Sequence, residues 1–176
     1  YAQIQDGDRQ HTLSRFFEGD EGKLVKHVIE RDDMTGIYSR FEHFDGTVIT
    51  VKRHEEHGLV WLQDVTFSDY AETKHVRLLD FLPPNYRLVE AAPIMGGFMV
   101  IAGEGMEGYI VVEPNFMASF GARLAAVHEI GHSLDYMKRP LNPREPYPNI
   151  DRERHAWKES DLFMGGLGKA GIAGVR

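Results

Sequence analysis

Val127-His128-Glu129-Ile130-Gly131-His132-Ser133-Leu134-Asp135 is the stretch on which the reading of this chain turns. Two histidines four residues apart on a helix project from successive turns of one face. Their imidazole nitrogens can therefore grip a single Zn²⁺ at ~2.0–2.1 Å each. Glu129 is offset by about 100° around the helix, so it is poorly placed as a third ligand but can reach a water beside the metal. It is the candidate general base. The remaining protein ligand must come from a second helix packed against the first, with a carboxylate pointing back. Glu153 is the choice and Glu159 its rival.

Working outward, residues 116–138 read as one long helix, closed by Pro140. Phe120, Leu124, Val127, Ile130, Leu134 and Met137 recur at three- to four-residue spacing and form its expected buried stripe. A five-residue motif can match by chance on a solvated helix. Here the apolar approach Leu124-Ala125-Ala126-Val127 and the small Gly131, where a neighbouring strand or substrate can come close, argue against chance. Pro140, Pro143, Pro146 and Pro148 make the following connection extended and stiff. A second helix is expected over 151–164, and the glycine-rich 165–176 reads as a flexible tail.

Upstream, 36–43, 47–53 and 59–67 are rich in β-branched and aromatic residues, with Asp45-Gly46 as a hairpin signal, and predict a three-stranded meander. The spacing of Leu24, Val25, Val28 and Ile29 suits a short helix. A further helix is expected over 71–81, stopped by Pro83-Pro84, and strands over 97–102 and 109–113. The chain thus divides into a β-rich N-terminal lobe, 1–69, and a catalytic domain, 70–176.

Composition removes several classes of function. Twenty Lys and Arg against 27 Asp and Glu give a formal net charge of −7, which would repel a phosphate backbone, so nucleic acid is not an expected partner. With no cysteine, disulfide scaffolds, thiol nucleophiles and Cys-based zinc knuckles are excluded, and a transition metal must be held by His and carboxylates. No apolar run approaches the roughly 20 residues that span a bilayer. The reading is of a soluble chain without a membrane partner. A start at Tyr1 rather than Met reads as a trimmed or processed product, and a secreted location is preferred to a cytoplasmic one.

The motif 127–135 followed by Glu153-Arg154-His155-Ala156 resembles the zincin metallopeptidases of the gluzincin type, thermolysin-like and, more loosely, lethal-factor-like. The resemblance covers about residues 70–164. It implies an α+β, zincin-like fold: a small mixed sheet, the active-site helix with His128 and His132, and a C-terminal helix with Glu153. It implies one Zn²⁺ per chain and hydrolysis of a protein or peptide substrate bound in extended form, as an endopeptidase. The metzincin branch is excluded, because Asp135 and Lys138 stand where its pattern needs Gly and His. The chain departs from the gluzincin pattern at Trp157, a place often held by an acidic residue that orients the first histidine. Asp161 or Asp135 is the substitute. The resemblance also implies that the strand 109–113 is the edge to which substrate adds, and that Tyr147, six residues before Glu153, donates to the oxyanion, with Tyr136 and His155 as weaker choices. The alternative function is a non-catalytic binding or recognition module of zincin-like fold, in which zinc only staples the helices.

Two further patterns are discounted. Gly103-Glu104-Gly105-Met106-Glu107-Gly108 fits a dinucleotide fingerprint by letter, but a strand follows it and its glutamates oppose a pyrophosphate, so it reads as a hairpin loop. His54-Glu55-Glu56-His57 has its histidines three apart between strands and reads as a solvated hairpin tip.

Overall fold

The computed structural model describes residues 2–6, 9–18, 23–32, 36–91, 97–100, 107–114, 116–118, 120–140, 142, 144 and 149–174, with side chains described from residue 36 onward except at 97–100 and 118. It is an α+β arrangement of ten strands and two long helices. The strands are β1 (Ala2–Asp6), β2 (Arg9–Glu18), β3 (Lys23–Asp32), β4 (Gly36–Glu42), β5 (Val48–Glu56), β6 (Leu59–Ser68), β7 (His75–Arg77), β8 (Tyr86–Glu90), β9 (Gly97–Val100) and β10 (Gly108–Val112); the helices are α1 (Phe120–Lys138) and α2 (Ile150–Ala170). They form one sheet in the order β1-β2-β3-β4-β5-β6-β8-β10-β9, with β7 hydrogen-bonded to β6. The sheet is mixed. β8 and β10 run parallel, and the other neighbours run antiparallel. Hydrogen bonding therefore continues across residue 69 through the pairing of β6 with β8.

The meander β4-β5-β6 matches the expected strands closely, because alternation and turn chemistry are local signals. The β5-β6 hairpin turns on His57 and Gly58, both at positive φ (54° and 75°), the two-residue turn whose twist suits antiparallel strands. His54, Glu55, Glu56 and His57 are exposed there, as a hairpin tip should be. One face of the sheet carries Phe41, Ile49, Val51, Val65, Phe67, Leu88, Ile110 and Val112, all buried and at period two within each strand. A bulge at Lys52/Arg53, opposite Asp64 and Leu62, lets Leu62 rejoin that face. Where the face reaches Ser39, Arg53 and Glu90 it turns polar. Arg53 donates to both Glu90 oxygens (2.8 and 3.0 Å) and to Ser39 Oγ (2.6 Å), which satisfies a buried charge pair.

Three expectations are corrected. Residues 23–32 are a strand held on both edges by β2 and β4, so non-local pairing overrides a helix-compatible spacing. Residues 71–81 hold only β7 and one 3-10 turn, Leu78–Phe81. The Asp69 carboxylate accepts from Thr73 N (2.7 Å), Thr73 Oγ1 (2.6 Å) and Lys74 N (3.1 Å), a local turn that competes with a helix start. Finally, the first half of the expected flexible tail, 165–170, is helix. α2 runs on to Ala170 and ends at Gly171 in the left-handed conformation (φ 71°), with Ile172 N donating to Leu167 O (2.9 Å). Ile172 is buried in the core, and Gly174 N donates to Thr47 Oγ1 (3.1 Å).

Both helices pack on the apolar face of the sheet, where Ala122, Ala126, Val127, Ile130, Phe163 and Leu167 join the strand residues in one core. The expected stripe of α1 is buried only at its middle; Phe120 and Met137 at its ends are exposed. Small residues occupy the crossing instead. Among the described residues, no helix is long and apolar enough to cross a membrane.

Candidate metal centre

Gly131 sets the distance between the two helices. A Cβ built there would lie 2.0 Å from Ala156 O and 2.5 Å from Ser160 Oγ. The close neighbour at Gly131 is therefore the helix α2, not the strand or substrate expected there. Ser160 Oγ donates to Val127 O (3.1 Å) as well as to Ala156 O (2.8 Å), so the crossing is both tight and hydrogen-bonded. The near end of α2 is fixed by Asn149, whose side-chain oxygen accepts from Asp151 N (3.0 Å) and Arg152 N (3.3 Å). Arg152 then ties that end to the last turn of α1. Its Nη1 donates to Asp135 Oδ2 (3.0 Å) and to Arg139 O, its Nη2 donates to Pro140 O (3.1 Å), and its guanidinium lies 4.7 Å from the Tyr136 ring centre. Glu153 is the next residue.

The crossing brings three of the candidate ligands together. Glu153 Oε2 lies 2.9 Å from His128 Nε2 and 3.4 Å from His132 Nε2. One donor atom from each of His128, His132 and Glu153 falls within 4.8 Å of the others, the one group of three or more potential metal-ligating side chains found among the described residues. Donors on one tetrahedral Zn²⁺ at ~2.0–2.1 Å stand about 3.3 Å apart. The set of two imidazoles and a carboxylate, at this separation, fits zinc.

No family model, curated protein or solved structure matches this chain. The geometry and its chemistry therefore carry the functional reading.

The Glu129 carboxyl is pushed up to about 7, chiefly by burial and further by the neighbouring Glu153 charge. A carboxyl in that range can both accept and release a proton near neutrality. The His132 imidazole is held below its ordinary value by burial, and then by His128 beside it, against the opposing pull of Glu153 and Asp135. Its neutral form, the one that ligates metals, is favoured.

Other sequence-derived candidates land elsewhere. Glu159 pairs with Lys138, away from the cluster. Asp135 is buried against Arg139 (Nε to Oδ1, 2.8 Å) and Arg152, so its oxygens serve the helix junction rather than an imidazole N–H. Asp161 is exposed. His155 bonds through Nδ1 to Asp151 O on its own helix (2.6 Å), and the Tyr136 ring lies beside His132 with centroids 6.4 Å apart. Tyr147 lies outside the described residues.

Two features were not anticipated. Trp157 stacks on the His128 ring, centroids 4.3 Å apart and planes at 29°. The strand 109–113 is not an edge: β10 is paired with β8 on one side and β9 on the other, which leaves β9 as the terminal strand at that end of the sheet. The glycine-rich segment expected to be a hairpin loop lies, over 103–106, outside the described residues.

Proposed function

We propose that this chain is a zinc-dependent endopeptidase of zincin type. The observation that carries the reading is the convergence of His128, His132 and Glu153 from two helices, with the half-buried Glu129 one residue along from His128. The three would hold the metal. When bound, zinc supplies Lewis-acid polarisation of the scissile carbonyl and acidifies a water toward a pKa of ~7. Glu129 takes the proton from the attacking water and passes it to the leaving amine nitrogen. Its partial burial weakens competing hydration of the carboxylate, and the 100° offset keeps it off the ligand face. A protein or peptide bound in extended form is the proposed substrate, and β9, as the terminal strand, replaces β10 as the strand beside which it would lie.

The test is digestion of a peptide library by the full chain with and without a chelator, alongside elemental analysis. About one zinc per chain and chelator-sensitive cleavage are expected. Glu129→Gln preserves shape but cannot take the proton, so it should keep the metal and lose activity by ~10²–10⁴-fold. Absence of a bound transition metal, in protein never exposed to chelator, overturns the proposal. Stoichiometric zinc without cleavage favours the non-catalytic module instead.

A further inference from the structure

A ligating histidine must be held at the correct ring rotation, because the torsion that turns the ring is soft and broad. Usually the ring nitrogen that does not bind metal donates a hydrogen bond, which fixes both tautomer and rotation. His128 has no such anchor: its Nδ1 is buried and finds no hydrogen-bond partner among the described residues. Its ring is instead held by faces and edges. One face lies against the Trp157 indole at 4.3 Å, and His132 meets it edge-on at 4.6 Å and 71°. Trp157 is four residues beyond Glu153 on α2, so the same helix face delivers the carboxylate ligand and the indole.

Core packing does not account for this tryptophan. Trp157 is 40% exposed and so lies outside the buried core. Its described ring contact is with His128. We propose that Trp157 is a positioning residue, whose stacked indole takes the place of a hydrogen bond at Nδ1 in holding His128 ready for the metal. The inference rests on the zinc reading above and adds to it how the site is preorganised. An indole fixes the ring plane without drawing on Nδ1, so affinity depends on the aromatic character of residue 157 rather than on its polarity.

The experiment uses the full chain as wild type, Trp157→Phe and Trp157→Leu. Proton NMR of the metal-free protein reads the His128 ring protons, assigned by their loss in His128→Gln. The indole ring current should move them upfield in the wild type, and Trp157→Leu should return them to ordinary positions. Competition against a chromogenic chelator reads the affinity for Zn²⁺ alone. Phenylalanine should hold that affinity within about threefold, whereas leucine should lose on the order of tenfold, the upper scale of an aromatic pair. Because leucine retains apolar bulk, a role in packing alone predicts no such separation. Wild-type His128 ring protons at ordinary positions overturn the inference, whether or not the variants fold. Equal Zn²⁺ affinity in wild type and Trp157→Leu overturns it too, with the zinc reading intact. A wild-type chain that binds no Zn²⁺ overturns the zinc reading and this inference together.

Discussion

Glu153 Oε2 reaches both imidazoles, whereas Glu159 is engaged with Lys138. Under the proposed function, Glu153→Ala removes a ligand and should abolish stoichiometric zinc, while Glu159→Ala should retain it and lose at most a surface ion pair worth ~0–1 kcal/mol. Metal content and unfolding curves of the two variants check this. The reverse pattern of zinc retention would assign the third ligand to Glu159. Asp135 is instructive at the same scale. It sits on the histidine helix one turn from the metal motif, yet its charge is consumed by Arg139 and Arg152. A residue's spacing puts it on a face; which cation reaches it first decides its role.

The helix crossing is the element that makes the site, and Gly131 is its tightest point. Alanine is the better helix former by about 1 kcal/mol, which alone would make Gly131→Ala stabilising. The added Cβ would meet a backbone carbonyl oxygen at 2.0 Å, however, and a backbone atom cannot move aside as a side-chain tip can. Overpacking of this kind costs ~1–3 kcal/mol or more, so it should win. Gly131→Ala is expected to lower stability by roughly 1–2 kcal/mol net, and to weaken zinc binding because α2 must shift and carry Glu153 with it. Chemical denaturation and zinc titration measure the two effects. A variant as stable as wild type or more so would show that the helices have room to spare. The element scale also bears on the α1 stripe, buried only at its centre: where α1 meets α2 the contact is made by small residues, Gly131 against Ala156, and not by the large apolar side chains Phe120 and Met137, which are exposed.

At the scale of the whole molecule, the C-terminal segment closes the core. Ile172 is buried after the left-handed turn at Gly171, and the Gly174–Thr47 bond reaches back to the turn between β4 and β5. Ile172→Ala should therefore cost ~2–5 kcal/mol, the range for truncating a buried aliphatic side chain, where a flexible tail would show almost none. Equilibrium unfolding distinguishes the two. A loss under ~0.5 kcal/mol would return these residues to the surface.

By itself the sequence determined the local features: the His-Glu-Ile-Gly-His pattern on a helix at 128–132, the meander of β4, β5 and β6, the solvated tip at 54–57 and the existence of both helices. Each of these depends on neighbours within a few residues, through alternation, turn chemistry or helical spacing. Tertiary structure alone decided the rest. β8, five residues shortly after a proline pair, is a strand because β10 lies parallel to it from 22 residues away. β10 is interior because β9 covers its other side, and residues 23–32 are extended because two strands hold them. The contacts of Glu153 with both imidazoles, the diversion of Asp135 to Arg152 and the stacking of Trp157 on His128 all follow from the angle and distance at which α1 and α2 cross. Those quantities depend on close approach at Gly131 and Ala156, 25 residues apart in the chain, and no local periodicity encodes them.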